Sequence, residues 1–328
     1  MKRRDFIRLL GGSTAAWPFM AYAQQGAKIR KIGVLWPFNE NDPDGQDLMT
    51  TFRDGLRGLG WTNIKIEPRW GGGNITRTND FAAELVQLSP DVIFAYFNAQ
   101  LGPLSRQTHT IPIVFVGASD PVGSRYVESL SHPGGNITGF TLYEPTLVGK
   151  WLSALKELTP TLARAALLVN PDTAVLRGKF YNDALVDAAG ALGIEPIVMN
   201  VFSAQDIETG IVSLAEQAGS GLIVAPDTFS EINGDLIVSL AAKHRVPTVY
   251  AISRYAKRGG LISYGPNVRD AVKRATVYVD RILLGEKPAD LPVQAPVKFD
   301  LVVNLKTAKA LGVIPSEVFL LRADEVIE

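Results

Sequence analysis

Apolar residues along the chain follow two spacings, one typical of buried strands and one typical of amphipathic helices. Residues 32–36 form an unbroken apolar run that predicts a strand, and Pro37 ends it. Residues 48–59 are apolar at every third or fourth position, which predicts a helix that stops at Gly60. Unbroken strands separated by amphipathic helices indicate parallel sheets that are covered on both faces.

This order of elements runs through the chain twice. The first pass comprises predicted strands at 32–36, 64–66, 91–96 and 111–116 and helices at 48–59 and 81–88. After a turn cluster at 132–136, the second comprises helices at 147–158, 175–192 and 236–243 and strands at 165–169, 222–225 and 247–252. A strand at 261–264, a helix at 267–284, a strand at 297–303 and a short helix at 304–310 follow. We therefore predict an α/β protein with two doubly wound parallel-sheet lobes.

Three breaks in this pattern suggest where the chain passes from one lobe to the other. They are the turn cluster before Gly139, the break at Ser253 and a proline-rich connector near Pro288. We expect the first lobe to hold residues 28–138 and 254–284. The second lobe is expected to hold residues 139–253 and 285–328.

The first 23 residues have the composition of a signal peptide. A basic start is followed by a short, weakly apolar stretch, and Ala21 and Ala23 form an A-x-A cleavage signal that would leave Gln24 as the new N-terminus. Arg3 and Arg4 resemble a twin-arginine export signal, although ordinary secretion also uses a basic start. We expect cleavage, export and a periplasmic location by either route.

Composition narrows the remaining classes. The 328 residues suffice for two domains, and 46% hydrophobic residues are typical of a folded chain. Lys+Arg 33 against Asp+Glu 33 gives no basic surplus, which argues against nucleic acid as a partner. The absence of cysteine excludes disulfides, thiol nucleophiles, cysteine metal sites and a lipoprotein anchor. No internal run reaches the length of about 18 apolar residues that a membrane span needs.

Catalytic and cofactor-binding patterns are absent from the sequence. His109, His132 and His244 lack the spacing of a metal site, and no G-x-S-x-G nucleophile elbow occurs. The glycines at 71–73 lack the lysine and serine of a phosphate-binding loop. We expect no enzymatic activity, no cofactor and no metal.

The candidate ligand site lies at the ends of the predicted strands, because open α/β sheets bind ligands at the carboxyl ends of their strands. Aromatic, amide, hydroxyl and carboxyl side chains are concentrated there. The candidates from the first lobe are Trp36, Phe38, Asn39, Tyr96, Asn98, Ser119 and Asp120. Those from the second lobe are Tyr143, Asn170, Asp227 and Phe229, with Arg254 and Tyr255 on the hinge side.

The chemistry of these candidates suggests a flat solute with at least one charged end. Aromatic rings stack on flat or apolar groups, and a buried charge needs a partner. Asp227 or Asp120 would hold an ammonium group, and Arg254 would hold a carboxylate through its two parallel N–H groups. Asp120 has an alternative role, because an aspartate before Pro121 is also typical of a residue that caps a helix without contacting a ligand. An amino acid or an aromatic carboxylate is therefore the expected solute.

Several ordered motifs resemble one known family along nearly all of the chain after residue 24. They lie at 111–115, 120–122, 129–139, 259–265, 278–283, 287–293, 304–312 and 322–328. This pattern resembles bacterial ABC-transporter substrate-binding proteins of the tryptophan/tyrosine-binding-like group. The resemblance implies a type I periplasmic-binding-protein fold with a three-crossing hinge. It also implies a small-molecule solute, an inner-membrane ABC permease as partner, and a monomer without catalytic activity.

Two other functions use related folds. A ligand-sensing receptor that signals to a membrane kinase would have the same sequence features, and only a neighbouring permease and ATPase would distinguish the two. An α/β hydrolase would need a nucleophile elbow or clustered carboxylates, which are missing. A transcription regulator would need a DNA-binding headpiece where this chain has its signal peptide.

Overall fold

The computed structural model describes residues 29–328. The predicted signal peptide, its cleavage site and the twin-arginine motif lie outside the described residues. Within the described part, no helix combines the length and the apolar character that crossing a membrane would require. The elements form two α/β lobes, as the two passes of the hydrophobic pattern predicted.

The first lobe is built on a five-stranded parallel sheet with the order β2-β1-β3-β4-β5. Its strands are β1 (Arg30–Trp36), β2 (Ile64–Trp70), β3 (Val92–Tyr96), β4 (Ile113–Val116) and β5 (Ile137–Phe140). The helices between them are α1 (Pro43–Gly58), α2 (Ile75–Gln87) and α3 (Asn98–Gln107). A later helix, α10 (Val268–Leu283), also packs on this sheet, against α1 and strands β3 to β5.

The second lobe is built on a seven-stranded sheet with the order β12-β11-β10-β9-β8-β6-β7. Its strands are β6 (Arg164–Val169), β7 (Glu195–Asn200), β8 (Ser220–Val224), β9 (Thr248–Tyr250), β10 (Ile262–Pro266), β11 (Phe299–Asn304) and β12 (Glu325–Ile327). Its helices are α4 (Thr146–Leu158), α5 (Lys179–Leu192), α6 (Ala204–Ala215), α7 (Thr228–Ile232), α8 (Gly234–Lys243), α9 (Ser253–Lys257), α11 (Leu305–Leu311) and α12 (Glu317–Leu321).

Side-chain caps fix where many of these helices begin. The Asn267 side chain accepts a hydrogen bond from the backbone N–H of Asp270, which confirms its predicted role as the cap of α10. Asp42 and Asn74 cap α1 and α2 in the same way. Such caps satisfy N–H groups in the first turn of a helix that have no partner within it.

Two predicted elements differ from the structure. β11 runs antiparallel to β10, so the second sheet is mixed rather than purely parallel. The helix predicted over 175–192 is broken, because Leu176 and Arg177 have φ angles of 48° and 55°, and α5 begins only at Lys179. A continuous helix cannot accommodate two residues in the left-handed region.

The chain passes between the lobes three times, in keeping with the expected hinge. It leaves the first sheet after Phe140, returns between Pro266 and Val268, and crosses again between Gln294 and Phe299. The residues near Gln294 remain with the first lobe, because Gln294 bridges to Phe140.

The expected segment boundaries do not follow the sheets at two places. Residues 254–266 were expected in the first lobe, but α9 and β10 belong to the second sheet because β10 pairs with β9 and β11. Residues 285–294 were expected in the second lobe, but they pack beside β5. The proline-rich connector therefore ends on the first lobe before the third crossing.

Candidate functional site

Both sheets have the strand order that creates a binding crevice at its reversal point. In the first sheet the order reverses between β1 and β3, and in the second it reverses between β6 and β8. Loops at the carboxyl ends of such neighbouring strands diverge and leave a crevice between them. These four strands carry the candidate residues at 36–39, 96–98, 170 and 227 at or just after their carboxyl ends.

A cluster of aromatic side chains fills the first-lobe side of this region. The Tyr96 ring lies 5.5 Å from Trp36, 6.0 Å from Phe38 and 4.3 Å from Phe97, measured between centroids. Phe97 in turn lies 6.3 Å from Tyr143, which follows the first crossing. All five rings are buried. The aromatic cluster therefore runs from the core of the first lobe to the hinge.

The backbone is shaped to place Phe97 in this cluster. Phe97 has a φ angle of 66°, a conformation that costs free energy in a non-glycine residue and is often found at functional sites. Its ring lies against Gly117, where a Cβ atom would approach the ring to 2.8 Å. A glycine at position 117 is therefore needed for this ring position.

A buried carboxylate, Glu231, joins the two lobes. It accepts hydrogen bonds from the hydroxyls of Tyr96 in the first lobe, at 3.2 Å, and Tyr255 in the second, at 3.1 Å. It also pairs with Arg254. Arg254 reaches Asp44 in α1 through Nε at 2.9 Å. Burial raises the pKa of the Asp44 carboxyl, and the Arg254 and Arg258 charges oppose that shift.

Two further hydrogen bonds cross between the lobes. The Ser119 hydroxyl lies 3.0 Å from the Tyr181 hydroxyl, and the Thr228 hydroxyl donates to Gln100 Oε1 at 3.2 Å. Asn98 holds the Ser119 loop in place by bonding both its N–H and its carbonyl. Together with the Tyr96–Glu231 bond, these contacts show that the described lobes lie in a closed arrangement.

Asp227 is tied to its own lobe. Its oxygens accept hydrogen bonds from the backbone N–H groups of Asn170 and Ser230 and from the Thr173 hydroxyl, at 2.8–3.2 Å. Burial raises the pKa of this carboxyl to about 6, and the three donors oppose the shift. Asp227 thus joins the loops after β6 and β8 and caps α7.

Several buried polar groups of this region have no hydrogen-bond partner among residues 29–328. They include Trp36 Nε1, Gln100 Nε2 and the Tyr143 hydroxyl. Burial raises the pKa of the Tyr143 hydroxyl, so it stays a neutral donor. Buried polar groups are nearly always paired in folded proteins, because leaving one unpaired costs about 1–3 kcal/mol.

The structure brings together most of the predicted site residues, but not all. Trp36, Phe38, Tyr96, Tyr143, Arg254 and Tyr255 belong to the aromatic cluster or contact the carboxylate beside it. Asn39 is exposed, and Asp120 accepts a hydrogen bond from the Gly123 N–H in its own turn. Asn170 caps the turn that follows it, and Phe229 is half-buried against the core. Contact of any of these residues with a solute stays a prediction.

Sequence reasoning missed Gln100, Tyr181 and Glu231. Gln100 and Glu231 lie in the first turns of α3 and α7, just beyond the strand-end loops that were considered. Extending the search by one helical turn after each strand would have found both. Tyr181 lies at the start of α5, behind the unexpected break, and has no such signal.

No group of three His, Asp or Glu residues within the described chain is placed to hold a metal ion.

Two α/β lobes linked by three crossings, with buried aromatic and charged groups where they meet, define a two-lobed solute-binding protein. The chain belongs to the ABC transporter substrate binding protein family, whose model matches residues 32–327. It is therefore the substrate-binding component of an ABC transporter.

Known proteins and solved structures are similar to this chain over most of its length. A tyrosine-binding protein of Clostridioides difficile (strain R20291) is 25% identical over 249 residues, which cover 76% of this chain and 71% of the relative. A Vibrio cholerae conserved domain protein is 26% identical with a TM-score of 0.84, covering 91% of this chain and 100% of that structure. An ABC domain from Streptococcus pneumonia in complex with L-Trp has a TM-score of 0.83 at 24% identity, with the same coverage.

Proposed function

We propose that this protein captures an aromatic amino acid between its two lobes and delivers it to an inner-membrane ABC permease. The observation that carries this proposal is the set of unpartnered buried polar groups, Trp36 Nε1, Gln100 Nε2 and the Tyr143 hydroxyl, around the aromatic cluster. A solute with a flat apolar body and polar ends would stack on the rings and pair with these groups.

The charged neighbours of the cluster support a solute with charged ends. Glu231 is buried and Arg254 is half-buried beside the rings, and the buried Asp227 joins the second-lobe loops. Arg254 and Asp227 already have partners within the protein. A solute would therefore interact with these two side chains in addition to their present partners. The relatives named for tyrosine and bound to L-Trp support the same solute class.

Calorimetry on the purified protein tests the solute class. The titrants are L-tryptophan, L-tyrosine, L-phenylalanine, L-leucine and a neutral sugar alcohol. We expect one or more of the aromatic amino acids to bind more tightly than L-leucine, and the sugar alcohol not to bind. Tight binding of the neutral sugar alcohol without binding of an amino acid would contradict the proposal.

A hydroxyl deletion tests whether the solute reaches the cluster. Tyr143→Phe should weaken binding of the preferred amino acid by about 5- to 100-fold, because it removes a buried donor near the solute. Tyr278→Phe is the matched control, since its hydroxyl donates to the Pro292 carbonyl away from the cluster. Equal affinity of the wild type and Tyr143→Phe would show that the Tyr143 hydroxyl does not contact the solute.

We further propose that the protein works in the periplasm as a monomer, after cleavage before Gln24, and does not alter its solute. Family membership supports the extracytoplasmic role and the permease as partner. Mass spectrometry of periplasmic protein measures its N-terminus, and light scattering measures its mass in solution. Recovery of unchanged amino acid after long incubation tests the absence of catalysis.

A further inference from the structure

A cavity of about 240 Å³ opens between the lobes on the side of α2 and α3. Its first-lobe wall includes Gln100 and Arg106 of α3, and its second-lobe wall includes Asp172, Thr173 and Thr228. Since both lobes supply a wall, the cavity is complete only when the lobes are together. Asn98 lines it next to Phe97 of the aromatic cluster.

The first-lobe wall offers two groups of hydrogen-bond donors, and one of them, the Gln100 amide nitrogen, has no acceptor among the described residues. Gln100 is fully buried, its Oε1 accepts from the Thr228 hydroxyl, and its Nε2 has no partner among the described residues. Arg106 lies two turns further along α3. One of its Nη atoms donates a long hydrogen bond of 3.4 Å to Asn79 Oδ1, and no ion pair to it occurs within residues 29–328. A buried amide donor and a nearby guanidinium are the groups that bind carboxylates in proteins.

The opposite wall has the complementary charge. Asp172 lies at the mouth of the cavity in the loop after β6, and its one ion pair in the described chain is with the largely exposed Arg177 at 3.4 Å. An exposed ion pair contributes little free energy, so an ammonium group can compete with Arg177 for this carboxylate.

We propose that this cavity receives the polar end of the solute, with its carboxylate on Gln100 Nε2 and Arg106 and its ammonium facing Asp172. Gln100 is then a specificity-determining residue that distinguishes α-amino acids from aromatic amines. The assignment rests on the proposed function, and it adds a polar subsite beside the aromatic cluster.

Three probes that share the indole ring test the carboxylate and the ammonium group of the solute one at a time. They are L-tryptophan, tryptamine, which lacks the carboxylate, and indole-3-propionate, which lacks the ammonium group. Calorimetry on the wild type should show L-tryptophan binding at least about 10-fold more tightly than tryptamine, because hydrogen bonds to charged groups are the stronger ones. Gln100→Met keeps the side-chain volume but loses both the Nε2 donor and the bond to Thr228. It should therefore weaken all three probes as far as Thr228→Val does, and weaken L-tryptophan and indole-3-propionate about 10-fold more than tryptamine.

Three further variants separate the Gln100 donor from the bond between the lobes and from the effect of added charge. Thr228→Val breaks the same bond between the lobes without removing the Gln100 donor, so it should weaken all three probes equally. Gln100→Glu should weaken both carboxylates further, whereas Gln107→Glu adds the same charge to the exposed end of α3 and should leave all affinities unchanged.

Each other result overturns the assignment. Equal weakening of all three probes by Gln100→Met would give Gln100 a purely structural role, and no weakening would remove it from the site. Weakening of tryptamine alone, or tighter L-tryptophan binding by Gln100→Glu, would place the ammonium group there instead. If the wild type binds none of the probes, the proposed function fails together with this assignment; if it binds L-tryptophan and Gln100→Met keeps the wild-type preference, only this assignment fails.

Discussion

Two tyrosines donate hydrogen bonds to the same buried carboxylate from different lobes. Removing one hydroxyl or the other should therefore distinguish an effect on closure of the lobes from an effect on the stability of the fold. Tyr96 reaches Glu231 Oε1 at 3.2 Å from the first lobe, and Tyr255 reaches Oε2 at 3.1 Å from the second. The Glu231 side chain is fully buried. The first bond exists only when the lobes are together, whereas the second lies within one lobe and persists when they separate.

We expect Tyr96→Phe to act on solute binding and Tyr255→Phe to act on stability. A hydrogen bond to a charged group contributes about 1.5–3 kcal/mol. Its loss in Tyr96→Phe would shift the lobes toward the open state and weaken solute binding by about 10- to 150-fold. Tyr255→Phe loses its bond to Glu231 and also its contacts with Arg254 Nη2 and the Ser230 carbonyl, all within the second lobe. It should therefore lower the free energy of unfolding by at least about 1.5–3 kcal/mol and change solute affinity far less.

Calorimetry with the preferred amino acid measures the affinity of each variant, and urea unfolding of the solute-free protein measures its stability. Both variants remove one hydroxyl and leave the ring in place, so each serves as the control for the other. The reasoning is refuted if Tyr255→Phe weakens solute binding as much as Tyr96→Phe, or if Tyr96→Phe lowers the unfolding free energy without changing affinity.

Three further predictions follow from features of the site and the N-terminus. Burial raises the pKa of the Asp227 carboxyl to about 6 in the fold, against 3.8 as its ordinary value, so the folded state binds more protons between these pH values. The unfolding free energy of the wild type relative to Asp227→Asn should therefore fall by about 2 kcal/mol from pH 4 to pH 7, and an equal pH dependence of the two proteins in urea unfolding would contradict this. A Cβ atom on Gly73 would lie 2.0 Å from Ile232 Cδ1 in the other lobe, and the φ angle of 68° at this position strains any residue with a Cβ atom. Gly73→Ala should therefore weaken solute binding by about 3- to 10-fold, and the added change Ile232→Ala should restore only the part that the clash causes; calorimetry that shows no restoration would rule out the clash. Replacing Arg3 and Arg4 with Lys should abolish periplasmic accumulation if the twin-arginine route is used, and immunoblots showing unchanged export would assign ordinary secretion.

Periodicity of apolar residues was enough to predict the two lobes, because helix faces and buried strands have different spacings. It worked where one face is buried, as in α1, whose Leu48, Phe52 and Leu56 all enter the core. It did not predict β7, an edge strand whose side chains alternate between half-buried and exposed. A weakly buried edge gives a weak pattern.

The rule that ligands bind at the carboxyl ends of strands predicted the region of the candidate site. It did not predict which side chains pair with each other there. Trp36, Tyr96 and Tyr143 were expected from their position in sequence, and they do come together. Arg254 was expected to hold a solute carboxylate, yet the structure gives it Asp44 and Glu231 as partners. Which acidic side chain pairs with which basic one depends on how α1, α7 and α9 pack together. The spacing of residues along the sequence does not predict that packing.

The position of α10 in the chain has a consequence for how the protein is made. The first sheet is complete by Phe140, but the helix that covers β3, β4 and β5 ends only at Leu283. At synthesis rates of about 5–20 residues per second, roughly 7–30 s pass between synthesis of the last strand of this sheet and synthesis of α10. During that time the apolar face of the sheet is available to chaperones or to other nascent chains. The two lobes therefore reach their native form late and almost together, and a fragment ending at residue 140 should aggregate rather than fold.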